Sequence, residues 1–159
     1  MLLLPYHQKY AERSDEEIAR RAMAKKEELR KVFEATKYKS GFEPVRVAVL
    51  GCADHRFIPH HQHVFEKLLR KSVELTTFDI TLDHLRGAMG VIKHDCALPL
   101  PNPFYDITFG HVLLKFIKTE KQWEVIKNSY EALRSPGLAI HVFDEEDVVT
   151  TSPILSDGY

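Results

Sequence analysis

The chain is predicted to fold as an α/β three-layer sandwich around a mostly parallel sheet of about five strands, with a helix ahead of it. Short apolar, β-branched runs alternate with longer amphipathic segments from Val45 to Phe143. That alternation is the pattern of βαβ units, whose right-handed crossovers place helices on both faces of a sheet. The length, 159 residues, matches one domain, and such a domain buries roughly two-thirds of the surface its unfolded chain exposes.

The elements follow in order. Ser14-Asp15-Glu16-Glu17 has the form of a capping box, so a helix is predicted to start here and end near Lys37, before Ser40-Gly41. Its stripe is Ile18, Ala22, Leu29, Val32 and Phe33, with Arg and Lys over much of the rest. Val45 to Leu50 reads as a buried strand closed by Gly51. A helix is predicted from Pro59 to Lys71 with Val64, Phe65, Leu68 and Leu69 inward, then a strand from Val73 to Phe78 ending at Asp79. Leu82 to Met89 reads as a short helix, Gly90 to His94 as a third strand ending at Asp95, and Tyr105 to Phe109 as a fourth. A helix from Thr119 to Leu133, with Trp123, Ile126 and Leu133 inward, leads through the Ser135-Pro136-Gly137 turn to a fifth strand, Gly137 to Phe143. The domain is expected over residues 41–159, with residues 1–40 an arm and helix packed on it.

Bulk composition narrows the function classes. Lys and Arg number 22 against 23 Asp and Glu, a formal charge of -1, without the long-range field of a dedicated nucleic-acid or membrane-surface binder. The two cysteines, Cys52 and Cys96, are too few for a disulfide framework and read as small apolar fillers. The apolar start Met1 to Leu4 is cut by Pro5 and is shorter than a signal peptide's core. A cytoplasmic setting without membrane contact is the expectation.

Ligands of open parallel sheets bind beyond the carboxyl ends of the strands, so the residues just past each strand carry the chemistry. Gly51 permits a tight turn that brings backbone N–H groups close to a ligand. Asp79 stands where a carboxylate accepts the hydroxyl protons of a ribose. Asp95 stands where one accepts a hydrogen bond from the exocyclic amine of an adenine.

The runs Val45 to His55, Phe78-Asp79-Ile80, Lys93-His94-Asp95-Cys96 and Tyr105 to Leu114 together resemble the class I S-adenosylmethionine-dependent methyltransferases, over about residues 43–144. The resemblance implies a Rossmann-like sheet of strand order 3-2-1-4-5 and a cofactor, S-adenosylmethionine, with S-adenosylhomocysteine as product. By that resemblance Gly51, Cys52 and Ala53 face the methionine part, Asp79 and Ile80 the ribose side, Asp95 and Cys96 the adenine, and Gly110 and His111 line the pocket after strand four. Ala53 and His55 stand where the family usually has its second and third glycines, and Val49 where many members carry an acid. The member implied is small and C-terminally short, its fifth strand an edge covered by the tail, the N-terminal helix or another subunit, as in a homodimer.

Other constellations read more plainly. His55, His60, His61 and His63 lack a thiol or acid at ligand spacing, so no metal is expected. Asp54, Asp106 and His111 are candidate proton acceptors, of which His111 is the catalytic candidate and Asp106 a strand-start residue. The charged helix face from Arg20 to Lys31 interleaves with acids at pairing distance and reads as solvated. Tyr6, Tyr10 and Arg13 form a packed arm or a flap over the cofactor. The expected function is methyl transfer to an unknown acceptor. Alternatives are a non-catalytic cofactor-binding or interaction module and a nicotinamide-dependent oxidoreductase, the last disfavoured by the absence of a three-glycine fingerprint.

Overall fold

The computed structural model describes residues 3–144. Its elements are α1 (Pro5–Ala11), α2 (Asp15–Thr36), β1 (Val45–Leu50), α3 (Phe57–Leu69), β2 (Val73–Asp79), β3 (Val91–Lys93), β4 (Tyr105–His111), α4 (Thr119–Glu131) and β5 (Leu133–Val142). The five strands are parallel and ordered β3-β2-β1-β4-β5, the α/β architecture and order expected from the sequence.

Successive side chains on β1 point to opposite faces, and both faces are covered. Val45, Val47 and Val49 pack with Leu29 of α2 and with Val64 and Phe65 of α3. Ala48 and Leu50 pack on the other side with Phe78, Leu114 and Val125. Each fully buried aliphatic side chain removes enough apolar surface from water to contribute about 1.5–3 kcal/mol before chain entropy is set against it. The central strand, like β4 beside it, is therefore almost wholly buried.

α2 begins as predicted: the Ser14 hydroxyl accepts the Glu17 N–H at 3.2 Å, and the helix ends at Lys37 in left-handed backbone. The Glu17 carboxylate does not complete the capping box but turns to Arg13 and Arg21. Arg30 pairs with Glu27 and Glu34 on the exposed face, the solvated arrangement expected of this helix. Residues 5–11, read as an arm, form a helix.

Four local expectations are corrected. α3 starts at Phe57, two residues before Pro59, and ends at Leu69. Leu82 to Met89 is not a helix: a single 3-10 turn, Asp83–Leu85, buries His84 and Leu85, after which Arg86 and Gly87 turn the chain away in left-handed backbone. The inward face of α4 is Gln122, Val125, Asn128 and Ser129 rather than Trp123 and Ile126, which are half-buried, and Leu133 belongs to β5. The polar members of that face find partners, Gln122 Nε2 donating to Leu114 O at 3.1 Å and Ser129 Oγ lying 2.8 Å from His141 Nε2, so an apolar count points one residue astray. The Ser135-Pro136-Gly137 turn is a bulge within β5, between the pairs Tyr105 with Leu133 and Ile107 with Leu138.

β5 is a sheet edge, as expected. α2 covers its face, Leu29 clustering with Ile140, while the tail invoked to cover the edge lies outside the described residues. No helix among the described residues is long and apolar enough to cross a membrane.

Candidate functional site

The strand order reverses between β1 and β4, so a crevice for ligand is expected where these two strands end. Gly51, the first residue past β1, has φ of 83°, backbone that a side chain rarely adopts. Its N–H donates to Phe78 O at 2.7 Å, and a Cβ added there would lie 3.1 Å from Leu113 Cδ1. The turn thus lies tight against the segment following β4, and its next N–H, that of Cys52, donates to Asp79 Oδ2 at 2.9 Å.

Asp79 ends β2 beside this turn. Its other oxygen accepts the Thr81 N–H at 3.1 Å, and His84 Nε2 lies 3.5 Å from Oδ2. Burial works to raise the Asp79 pKa, but the contacts from His84 and from the Cys52 and Thr81 N–H groups outweigh it and leave the carboxyl below its usual range. His84 Nε2 is 2.7 Å from Cys52 O. A carbonyl only accepts, so Nε2 carries a hydrogen here and Nδ1 is left for other partners. That Nδ1 is buried without a partner, as are the hydroxyls of Thr81 and Thr77. Two of these residues, His84 and Thr81, are in contact with the Asp79 carboxylate through other atoms.

The other expected residues fall around this centre with different aptitudes. Ala53 is half-buried in the turn. Ile80 is 60 % exposed immediately beyond Asp79 and offers an apolar face to solvent. Asp95, exposed past β3, receives the Ala97 N–H at 2.9 Å. The Cys52 side chain packs with Ile18, Ala22, Phe57 and Leu85, and that of Cys96 with Phe78 and Leu100 across the sheet. Burial pushes both thiols up to about 12, the filler role expected of them.

Gly110 and His111, expected past the fourth strand, lie inside β4 and pair with His141 and Val142. Gly110 is buried against the His141 ring, and a Cβ there would come within 3.1 Å of His141 Nδ1. His111 Nε2 meets Glu28 Oε2 at 3.1 Å. Burial, reinforced by Lys25, pushes the His111 pKa down to about 4, so the ring is neutral at physiological pH.

Lys25 and Glu28 escaped the sequence reading, as did His84. Lys25 Nζ lies 3.2 Å from His61 Nε2 and 3.9 Å from the centroid of the Phe57 ring, and burial holds its ammonium down to about 8. Its signal was present: positions 18, 22, 25 and 29 follow one helical stripe, and Lys25 interrupts an otherwise apolar one. His84 was hidden by the helix expected at Leu82 to Met89.

Asp54 is occupied structurally. Its carboxylate is buried, and Oδ1 takes both the backbone and Nε hydrogens of Arg56 at 2.9 Å. Asp106 lies at the opposite end of the sheet. A hollow of about 670 Å³ between α2 and α3 is lined by His55, Ile58, His60 and Met89, and by none of the residues expected to hold cofactor. Among the described residues no group of three His, Cys, Asp or Glu could hold a metal ion.

No family model matches the chain, and no curated protein matches it. Among solved structures it is similar to one of Zn-dependent alcohol dehydrogenases from Rhodobacter sphaeroides (TM-score 0.41, 19% identity), covering 58% of this chain and 39% of that one. A structure of LepI in complex with SAH and a substrate analogue gives a TM-score of 0.48 at 14% identity, covering 65% of this chain and 28% of that one. The N-methyltransferase NodS from Bradyrhizobium japonicum, in complex with S-adenosyl-L-homocysteine, gives 0.46 at 16%, covering 71% and 64%. The chain thus spans less than two thirds of the length of each of these structures.

Proposed function

We propose that the chain binds S-adenosylmethionine across the tips of β1, β2 and β4 and is a methyltransferase. The observation that carries this reading is the Asp79 carboxylate, held beside the Gly51 turn by the Cys52 N–H at 2.9 Å, where the sheet changes direction. Each carboxylate oxygen has lone pairs beyond those used by Cys52 and Thr81, and these suit the two hydroxyl protons of a ribose. The residues present fit the group: His84 Nδ1 and Thr81 Oγ1 are partnerless polar atoms at the same place, and Ile80 is an exposed apolar surface for a flat base.

In this reading the turn at Gly51, Cys52 and Ala53 approaches the amino-acid part of the ligand, Asp95 the amine of its adenine, and Gly110 with His111 form the wall at β4. When bound, S-adenosylmethionine supplies a sulfonium methyl that passes to an acceptor lone pair while the broken C–S bond's electrons stay on sulfur, leaving S-adenosylhomocysteine. The chain's own part is alignment of the acceptor and exclusion of water. His111, the catalytic candidate, is fixed by Glu28 and held at about 4 by burial, which makes it a weak base near neutral pH, so its part in this reading is to line the wall. The acceptor is the partner still to be identified, and a second copy against β5 would complete the edge as a homodimer.

A second reading, a binding or interaction module that does not catalyse, is supported by α1, which seats His7 on His84 close to Asp79. Calorimetric titration of the purified chain with S-adenosylmethionine and S-adenosylhomocysteine separates the outcomes. Micromolar binding, weakened tenfold or more by Asp79→Ala, is expected. Absence of heat at millimolar ligand would sink the cofactor reading, and cofactor binding without methyl transfer across an acceptor screen would favour the module.

A further inference from the structure

α1 lies over the strand tips and buries none of its own residues. It is held unevenly. At its C-terminal end the Arg56 guanidinium donates to Tyr10 O and to Arg13 O, each at 2.8 Å, and the Tyr10 ring meets that of Phe57 at 6.0 Å. Its forward part is held by ring contacts: His7 stacks on His84 with centroids 3.5 Å apart and planes 11° from parallel, and Tyr6 meets Phe116 at 4.6 Å. Phe116 stays 53% exposed and the neighbouring Leu4 54%.

We infer that α1 is a displaceable plug, whose forward turn competes with the ligand for the face presented by Asp79 and His84 and peels away ahead of the Tyr10 anchor to admit it. The inference rests on reading this face as the cofactor site. Three observations carry it. Rings stacked at 3.5 Å leave no room for anything between them, so His7 and a ligand group cannot share the His84 face. The helix covers a polar ring without satisfying it, since His84 Nδ1 remains partnerless beneath His7; a permanent cover would supply it with a partner. And the firm anchors sit behind that turn, on Tyr10 and Arg13, while the contacts shown for the forward part are those of the Tyr6 and His7 rings, the distribution of strength that lets a turn peel away.

The test titrates S-adenosylhomocysteine into the full chain, into His7→Ala and into Tyr6→Ala, and follows amide hydrogen exchange of residues 5–11 with and without ligand. Removing one ring contact should raise the population of the open form and tighten apparent affinity about two- to tenfold. In the unaltered chain, ligand should speed exchange in α1. Unchanged or weaker affinity in both variants, or exchange slowed by ligand as for a lid that closes over it, overturns the plug. If none of the three proteins binds at millimolar ligand, the cofactor reading falls and takes the plug with it, whereas binding that neither variant tightens overturns the plug alone.

Discussion

The two ends of the sheet treat their buried polar groups in opposite ways. At the lower end, where the strands begin, the Asp106 carboxylate is 0% exposed and accepts from the Arg46 N–H at 2.8 Å and from Arg134 Nε and Nη2 at 2.9 Å each. The Arg134 guanidinium lies 3.6 Å over the Phe42 ring. Arg46 in turn donates to Phe104 O and Asn102 O. At the upper end, where the strands finish, His84, Thr77, Thr81 and His61 bury polar atoms without partners, and Lys25 and His111 are driven away from their ordinary pKa values. Unsatisfied and perturbed groups lower stability, and they persist where a ligand completes them. The lower end therefore reads as the clasp that pins β1, β4 and β5 together, and the upper end is the face on which the proposed ligand site rests.

The largest expected effect tests the clasp. Asp106→Ala leaves Arg134 and the Arg46 N–H without their acceptor and should cost about 3–5 kcal/mol in urea unfolding, while the protein that remains folded binds adenosyl ligand as before. A loss of binding without a loss of stability would reverse the assignment of the two ends.

Next in size is acid sensitivity. Burial lowers the pKa of His61, of His111 (to about 4) and of His141 (to about 4), with Lys25 adding to the effect on the first two. These rings stay neutral when folded but take up protons below about 6.5 when unfolded, so the unfolded chain binds more protons between those values. Stability should be fully present above about pH 6.5 and fall as the pH drops toward 4. For a ring buried like His141 the full loss, reached near pH 4, is on the order of 3 kcal/mol, of which chemical unfolding at pH 7.5 and pH 5 should read about 2 kcal/mol. His141→Asn should flatten that slope, and an unaltered slope would remove this ring from the account.

The smallest effect sharpens the upper end. Gly51→Ala places a Cβ at φ 83° and 3.1 Å from Leu113 Cδ1, and should cost about 1–2 kcal/mol. Because the turn positions the Cys52 N–H on Asp79, adenosyl affinity should fall by more than the stability does. Equal stability and affinity with alanine there would show that the turn does not approach the ligand.

Much of the fold was legible because periodicity and punctuation agree. The capping serine at Ser14, the apolar run closed by Gly51, and Asp79 and Asp95 just past their strands each mark a boundary that the backbone respects. Legibility failed where polar residues face inward. The buried stripe of α4 contains Gln122, Asn128 and Ser129, and Lys25 lies half-buried along that of α2, so counting apolar residues misplaced the first and passed over the second. The turn at His84 was missed because Leu82 and Leu85 imitate helical spacing while Arg86 and Gly87 end the turn.

The sequence by itself determined the parallel sheet, the strand ends and the identities of Gly51, Asp79 and Asp95, because these depend on local patterns of two to four residues. Only the tertiary structure decided which of those groups meet. It brought Cys52 N to Asp79 across 27 positions, Glu28 to His111 across 83, and His7 onto His84. Such pairings depend on how helices lie across strand tips, and no local pattern encodes the distance between residues so far apart in the chain.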